Sequence, residues 1–234
     1  MSFIRDLVRN WTLIALSSVP FLPAHAGTIQ LPGIGAPLDV PVTSYKEARF
    51  QTVLKQERDF SCGSAALASL LSFHYQDPVS EQQVFEAMFE AGDQERIRRQ
   101  GFSLLDMRKY LQGRGYKADG FRIPLDLLAA KASVPAIVLI NTNGYRHFVL
   151  LKGVTPQRVL IGDPALGIRA MDRAKFAELW DGMVFLIRSH ADLGRANFNL
   201  LQEWEIDGRP PFGTAFVNEG LSNFLLLLPR QHDF

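Results

Sequence analysis

Cys62 is the only cysteine among 234 residues. It stands in Gln56-Glu57-Arg58-Asp59-Phe60-Ser61-Cys62-Gly63-Ser64-Ala65-Ala66, where an irregular stretch gives way to apolar residues at helical spacing (Ala66, Leu67, Leu70, Leu71). A thiol attacks as its thiolate, and the unpaired N–H groups and dipole of a helix N-terminus favour an anion. The small residues Gly63 to Ala66 are read as a narrow approach for a substrate backbone. A lone cysteine is more often a small buried hydrophobe than a nucleophile, so its chemistry depends on its company.

A nucleophile needs a base. His74 lies on the same helix, but twelve residues further along, about 18 Å at a rise of ~1.5 Å per residue. It is expected at the rim of the core-facing stripe. His25 falls in an export leader, while His190 and His232 lie in weakly patterned sequence and are expected at the surface. His147 remains, in Tyr145-Arg146-His147-Phe148-Val149-Leu150-Leu151. Strand alternation sets His147, Val149 and Leu151 on one face and Phe148, Leu150 and Lys152 on the other. Both faces are largely apolar, which predicts a central strand.

If Thr155-Pro156-Gln157 is a three-residue loop, Leu151 faces Ile161 and Val149 faces Asp163. Asp163 is then a diagonal neighbour of His147 on the same face, with Cβ atoms under about 7–8 Å apart. A carboxylate there would fix the ring tautomer and stabilise the imidazolium. A loop one residue longer or shorter would set the two on opposite faces. Gln56, six residues before Cys62, could donate its side-chain amide to an oxyanion together with the Cys62 backbone N–H.

The ordered set Gln56, Cys62-Gly63, His147-Phe148-Val149 and Asp163-Pro164 followed by Gly167 resembles the double-glycine leader peptidases. These are papain-like cysteine peptidases that process bacteriocin precursors, often as the N-terminal domain of an exporter. The match runs from about Lys55 to Arg188. The resemblance implies Gln56 as oxyanion donor, Cys62 as nucleophile, His147 as general base and acid, and Asp163 as the orienting carboxylate. Two features depart from the exporter-linked members. Ser61 stands where many of them carry an acidic residue, and this chain opens with an export leader. The free-standing exported form is similar to the peptidase of the Fap-type functional amyloid secretion system. That similarity implies amyloid subunits and an outer-membrane secretion pore as partners.

The elements that must position these residues follow from periodicity. Arg5 and Arg9, the apolar run Trp11 to Leu22 and Ala24-His25-Ala26 predict a signal peptide over residues 1–26, cleaved before Gly27, and hence a periplasmic protein. Residues 27–48 read as an extended lead-in, 49–189 as one peptidase domain, and 190–234 as a tail without firm pattern. Helices are predicted from Cys62 to about Tyr75, from a capping box at Ser80 to about Phe89, from Ser103 to about Gly113, from Pro124 to about Lys131, and from Asp172 to about Trp180. Strands are predicted at Val134–Ile140, Tyr145–Val154, Arg158–Asp163 and Met183–Arg188. Helices first and strands later make an α+β fold, a papain-like one by the resemblance, with N-terminal helices on a C-terminal antiparallel sheet. Formal net charge is +1, with no basic patch fit for nucleic acid. No later apolar run reaches membrane-spanning length. No cofactor is expected, and no metal, since no His/Cys/Asp cluster has ligand spacing. The rival readings are an acyl-transfer enzyme using the same triad, and a catalytically silent binding module that assists secretion.

Overall fold

The structure is a computed structural model that describes residues 28–31, 38–41 and 43–208. The expected leader and the chain beyond 208, His232 included, lie outside the described residues. Residues 1–42 form one unit, in which β1 (Thr28–Leu31) pairs antiparallel with β2 (Leu38–Pro41).

The second unit starts with a short helix, α1 (Tyr45–Ala48). The sequence reading had left this stretch extended, but Ser44 and Glu47 close a capping box around its first turn. Then come α2 (Cys62–His74), α3 (Glu81–Ala91), α4 (Gln94–Gln100), α5 (Leu104–Gly113), β3 (Ala118–Arg122) and α6 (Leu125–Leu127). The last continues into a single π-turn, Leu128–Ala132, that ends at Ser133 in the left-handed region. Next are β4 (Ala136–Thr142), β5 (Tyr145–Val154), β6 (Arg158–Asp163), β7 (Gly167–Asp172), α7 (Arg173–Leu179), β8 (Trp180–Ile187), α8 (Ala191–Ala196) and α9 (Leu201–Gly208). The capping box predicted at Ser80 and the cap predicted at Ser103 are present, the latter also as a box, each hydroxyl accepting from a backbone N–H three residues on.

One six-stranded sheet runs β3-β8-β4-β5-β6-β7, with every pair antiparallel. The fold is therefore α+β, with helices preceding the sheet, and β5 is an interior strand. Its alternation divides the core. Phe148 and Leu150 join Cys62, Leu67, Leu70 and Leu71 on one face. Val149 and Leu151 join Val138, Ile161 and Phe176 on the other.

Helix α2 is not amphipathic in its setting. Cys62 through Leu71 are all buried, the pattern of a helix packed on every side. It lies between β5 and the helices α3 and α5. Small side chains permit this. A Cβ added at Gly63 would stand 2.8 Å from Met107 Cε and 3.1 Å from Phe102 Cβ. Gly63 is thus filled by core side chains, and the expected narrow approach for substrate over Gly63 to Ala66 is corrected. These residues are small because neighbouring elements press on them.

Several elements carried little periodic signal. Helix α4 is QERIRRQ, with Ile97 alone buried. Strand β3 (ADGFR) is an edge strand containing Asp and Gly, both poor strand formers. Helices α8 and α9 are short and lie in the stretch read as an unpatterned tail.

Candidate active site

Helix α2 opens at Cys62 without a side-chain cap. The Ser61 hydroxyl turns back instead, accepting from Arg58 N–H at 3.1 Å and donating to Arg58 C=O at 3.0 Å. No N-cap side chain takes up the first-turn N–H groups, which stand at the residue that carries the thiol. The Cys62 side chain is buried.

His147 and Asp163 meet as the sequence predicted, by a different route. Val154 pairs with Val159 and not with Arg158, so the β5–β6 loop is one residue longer than expected. A bulge between Leu151 and Gly153 absorbs the extra residue at Lys152. Leu151 consequently pairs with Ile161, and the expected faces are restored. The last paired position is Leu150 with Gly162, and His147 and Asp163 stand beyond it at the open end of the ladder. His147 Nε2–H donates to Asp163 Oδ1 at 2.8 Å, with both side chains buried.

The carboxylate is held on all sides. Oδ1 also accepts from Ala165 N–H at 2.9 Å and Leu166 N–H at 3.3 Å, the turn-initiating role that Asp-Pro suggests by itself. Oδ2 accepts from the Arg169 guanidinium at 3.1 Å. The sequence reading missed Arg169. Its signal is the β6–β7 register: Asp163 pairs with Gly167, so Arg169, two residues on, is a same-face diagonal neighbour. Gly167 has φ +80° and a virtual Cβ 2.6 Å from Arg49 C=O, so no side chain fits this turn.

Burial by itself would lower the pKa of His147. The Asp163 hydrogen bond, and then the Cys62 thiol, outweigh it and push the imidazole up to about 9. Burial would raise Asp163, but the hydrogen bond and charge of His147, the Ala165 N–H and Arg169 hold its carboxyl below the ordinary value. An imidazolium facing a carboxylate is therefore the resting state at neutral pH. Nε2 is committed to Asp163, which leaves Nδ1 as the free ring nitrogen. Nδ1 is buried and makes no hydrogen bond of standard geometry.

Gln56 is tied to the same corner through its backbone. Its N–H donates to Pro164 C=O at 3.0 Å, the residue after Asp163. Its side-chain Nε2 donates to Arg58 C=O at 3.1 Å, which uses one of two amide hydrogens. The segment is also anchored to α2, where Leu54 N–H donates to Ser69 Oγ at 2.8 Å.

The other described histidines, His74 and His190, stand apart. His74 is fully buried rather than at a rim, and its Nδ1–H donates to Asn197 C=O at 3.0 Å. Burial, reinforced by the Lys152 charge, lowers its pKa to about 3, so it stays neutral. His190 is exposed and packs edge-on against Tyr116.

Residues 51–192 match the model of the peptidase C39 family. A probable functional amyloid protease, FapD, of Pseudomonas aeruginosa is 40% identical over 176 residues, covering 75% of this chain and 77% of that protein. Its namesake in Pseudomonas fluorescens is 38% identical over 175 residues, covering 75% and 76%. Among solved structures, the peptidase domain of Streptococcus ComA, a bi-functional ABC transporter involved in quorum sensing, superposes with a TM-score of 0.50 at 20% identity. That match spans 58% of this chain and 96% of the domain, and it is a likeness of fold. With a cysteine at a helix start, a histidine–aspartate pair at the sheet end and a family match that spans them all, this chain belongs to the peptidase C39 family of cysteine peptidases.

Proposed function

We propose that the protein is a periplasmic cysteine endopeptidase that cuts one peptide bond in an exported protein, and that this cleavage supports secretion or assembly of functional amyloid subunits. The carrying observation is the 2.8 Å bond from His147 to Asp163, next to a thiol at the first turn of α2.

In this reading the Cys62 thiolate attacks the scissile carbonyl and the carbonyl π pair moves to oxygen. The oxyanion accepts from the Cys62 backbone N–H and the Gln56 amide. Collapse expels the amine, which takes the proton from His147 Nδ1 and leaves a thioester on Cys62. Neutral His147 then removes a proton from water. The hydroxide attacks the thioester, and the thiolate and a carboxylic acid are released. Throughout, Asp163 stays ionised and holds the ring by Nε2–H.

The periplasmic setting is supported by the basic, apolar and small-residue order of residues 1–26. The amyloid context is supported by the two Pseudomonas relatives, and an outer-membrane pore is a partner that this context brings. The test compares the masses of exported proteins encoded beside this chain in cells carrying the intact enzyme or Cys62→Ala. The reading expects a shortened product only with the intact enzyme. Equal substrate lengths and equal secretion in both would overturn it.

A further inference from the structure

Tyr145 is half-exposed, yet both ends of its side chain are engaged. Its ring lies over the His147 imidazole, with centroids 5.8 Å apart and planes 27° from parallel. Its hydroxyl donates to Asp59 C=O at 3.1 Å, three residues before Cys62. The side chain therefore spans from the β4–β5 hairpin to the loop that delivers the thiol.

The hairpin is built to hold it there. Thr142 pairs with Tyr145 across a two-residue turn, Asn143-Gly144, with φ of 53° and 88°. This is the primed turn that Asn-Gly favours and that matches strand twist. Asn141 Oδ1 accepts from Gly144 N–H at 2.9 Å and braces it further. Burial, and then negative charge at Cys62, Asp59 and Asp163, raises the pKa of the phenol. It thus remains a donor throughout the range in which the site works.

We propose that Tyr145 is a positioning and size-selecting residue of this site. Its ring braces His147, and its bridge to Asp59 forms a bar past which only a slim segment reaches Cys62. This rests on the peptidase reading for its purpose but not for its geometry. It also supplies what Gly63 to Ala66 do not, because Gly63 is filled by Met107 and Phe102 and the next three residues are buried.

A single thiol makes the test direct, because every adduct reports on Cys62. The full chain and its Tyr145→Phe and Tyr145→Ala forms are treated with iodoacetamide and with a bulky aromatic maleimide, and adduct formation is followed by mass. The ratio of bulky to small reagent rates is expected to rise about tenfold in Tyr145→Ala, a step typical of a steric filter. Tyr145→Phe keeps the ring and loses the tether, so its ratio should rise by about threefold. A ratio within about twofold of the parent in folded Tyr145→Ala overturns the proposal. If that variant does not fold, an unchanged ratio in Tyr145→Phe overturns it. Failure here would leave peptide cleavage untouched. Conversely, a parent chain that cuts nothing would sink the peptidase reading and leave this ratio intact.

Discussion

Lys152 and Glu203 meet inside the protein, Nζ to Oε1 at 2.5 Å, with the lysine fully buried and the glutamate nearly so. The lysine is the bulge residue of β5, and the glutamate comes from α9, beyond the stretch that matches the family. The ammonium also donates to Thr52 C=O at 3.0 Å and Thr52 Oγ1 at 2.7 Å. One ion pair thus joins α9, the bulge that sets the His147 register and the segment leading to Gln56. The chain entering α9 repeats the connection: Asn199 N–H donates to Lys152 C=O at 2.8 Å, and Trp204 lies against Gly153.

Breaking this pair from one side leaves a buried charge alone. Lys152→Met or Glu203→Leu should each cost about 3–5 kcal/mol. The double variant should recover most of that loss, since an apolar pair of similar volume is often as stable as a buried ion pair. Denaturant unfolding of the parent, both singles and the double closes the cycle. Additive losses would show that the pair does not act as a unit.

The His147–Asp163 pair sets a pH window. The folded pKa of His147, about 9, lies above the ordinary 6.5. Its contribution to stability is therefore complete below about 6.5 and is lost as pH rises through about 9. Asp163 is shifted down from 3.8, so its contribution is present above that value and is lost as pH falls through the lower folded one. If the leaving amine takes its proton from the His147 imidazolium, as proposed, cleavage should decline through about pH 9. Asp163→Asn should move this limb toward the ordinary histidine value and slow cleavage by about 10⁴-fold. A pH–rate profile of both forms measures it, and an unmoved alkaline limb would contradict the assignment.

Gln56 is tested by how a loss divides between kcat and KM. A donor that engages only the oxyanion should lower kcat and kcat/KM together in Gln56→Ala, by about 10²–10³. Steady-state kinetics on one peptide suffices. A raised KM with kcat intact would instead make Gln56 a substrate-binding residue.

Gly63 predicts a packing effect next to Cys62. Gly63→Ala brings a Cβ to within 2.8 Å of the flexible Met107 terminus and 3.1 Å of Phe102 Cβ. Overpacking of this kind costs about 1–3 kcal/mol, and Gly63→Val should cost more. Thermal melting checks the order. A neutral valine would mean that the start of α2 is loosely packed.

Much of the site is legible in the residues. The change from irregular to helical spacing at Cys62 locates the helix start, and α2 begins there. Turn residues bracket β5 and β6, whose ends match the expected ones. The partnership of His147 with Asp163 followed from alternation, although the loop count behind it was one short. The bulge at Lys152 made good the difference, and a bulge on an apolar strand leaves no periodic trace. Arg169 was hidden because β7 (GIRAMD) is short and irregular in pattern. Tyr145 was hidden because Asp59, which accepts from its hydroxyl, lies 86 residues away in the chain.

The division has a physical basis. Periodicity, caps and turn chemistry are local, so the sequence by itself determined α2, β5 and β6, the order of the chemical groups and the strand face on which they fall. Contacts between distant segments depend on how the chain closes in three dimensions. Only the tertiary structure decided that Gly63 is filled by Met107, that Asp163 is shared between His147 and Arg169, and that Tyr145 bridges to Asp59. It also decided that Glu203, in a stretch that reads as an unpatterned tail, neutralises the lysine at the bulge. A buried ammonium can be placed only by the carboxylate that folds back onto it.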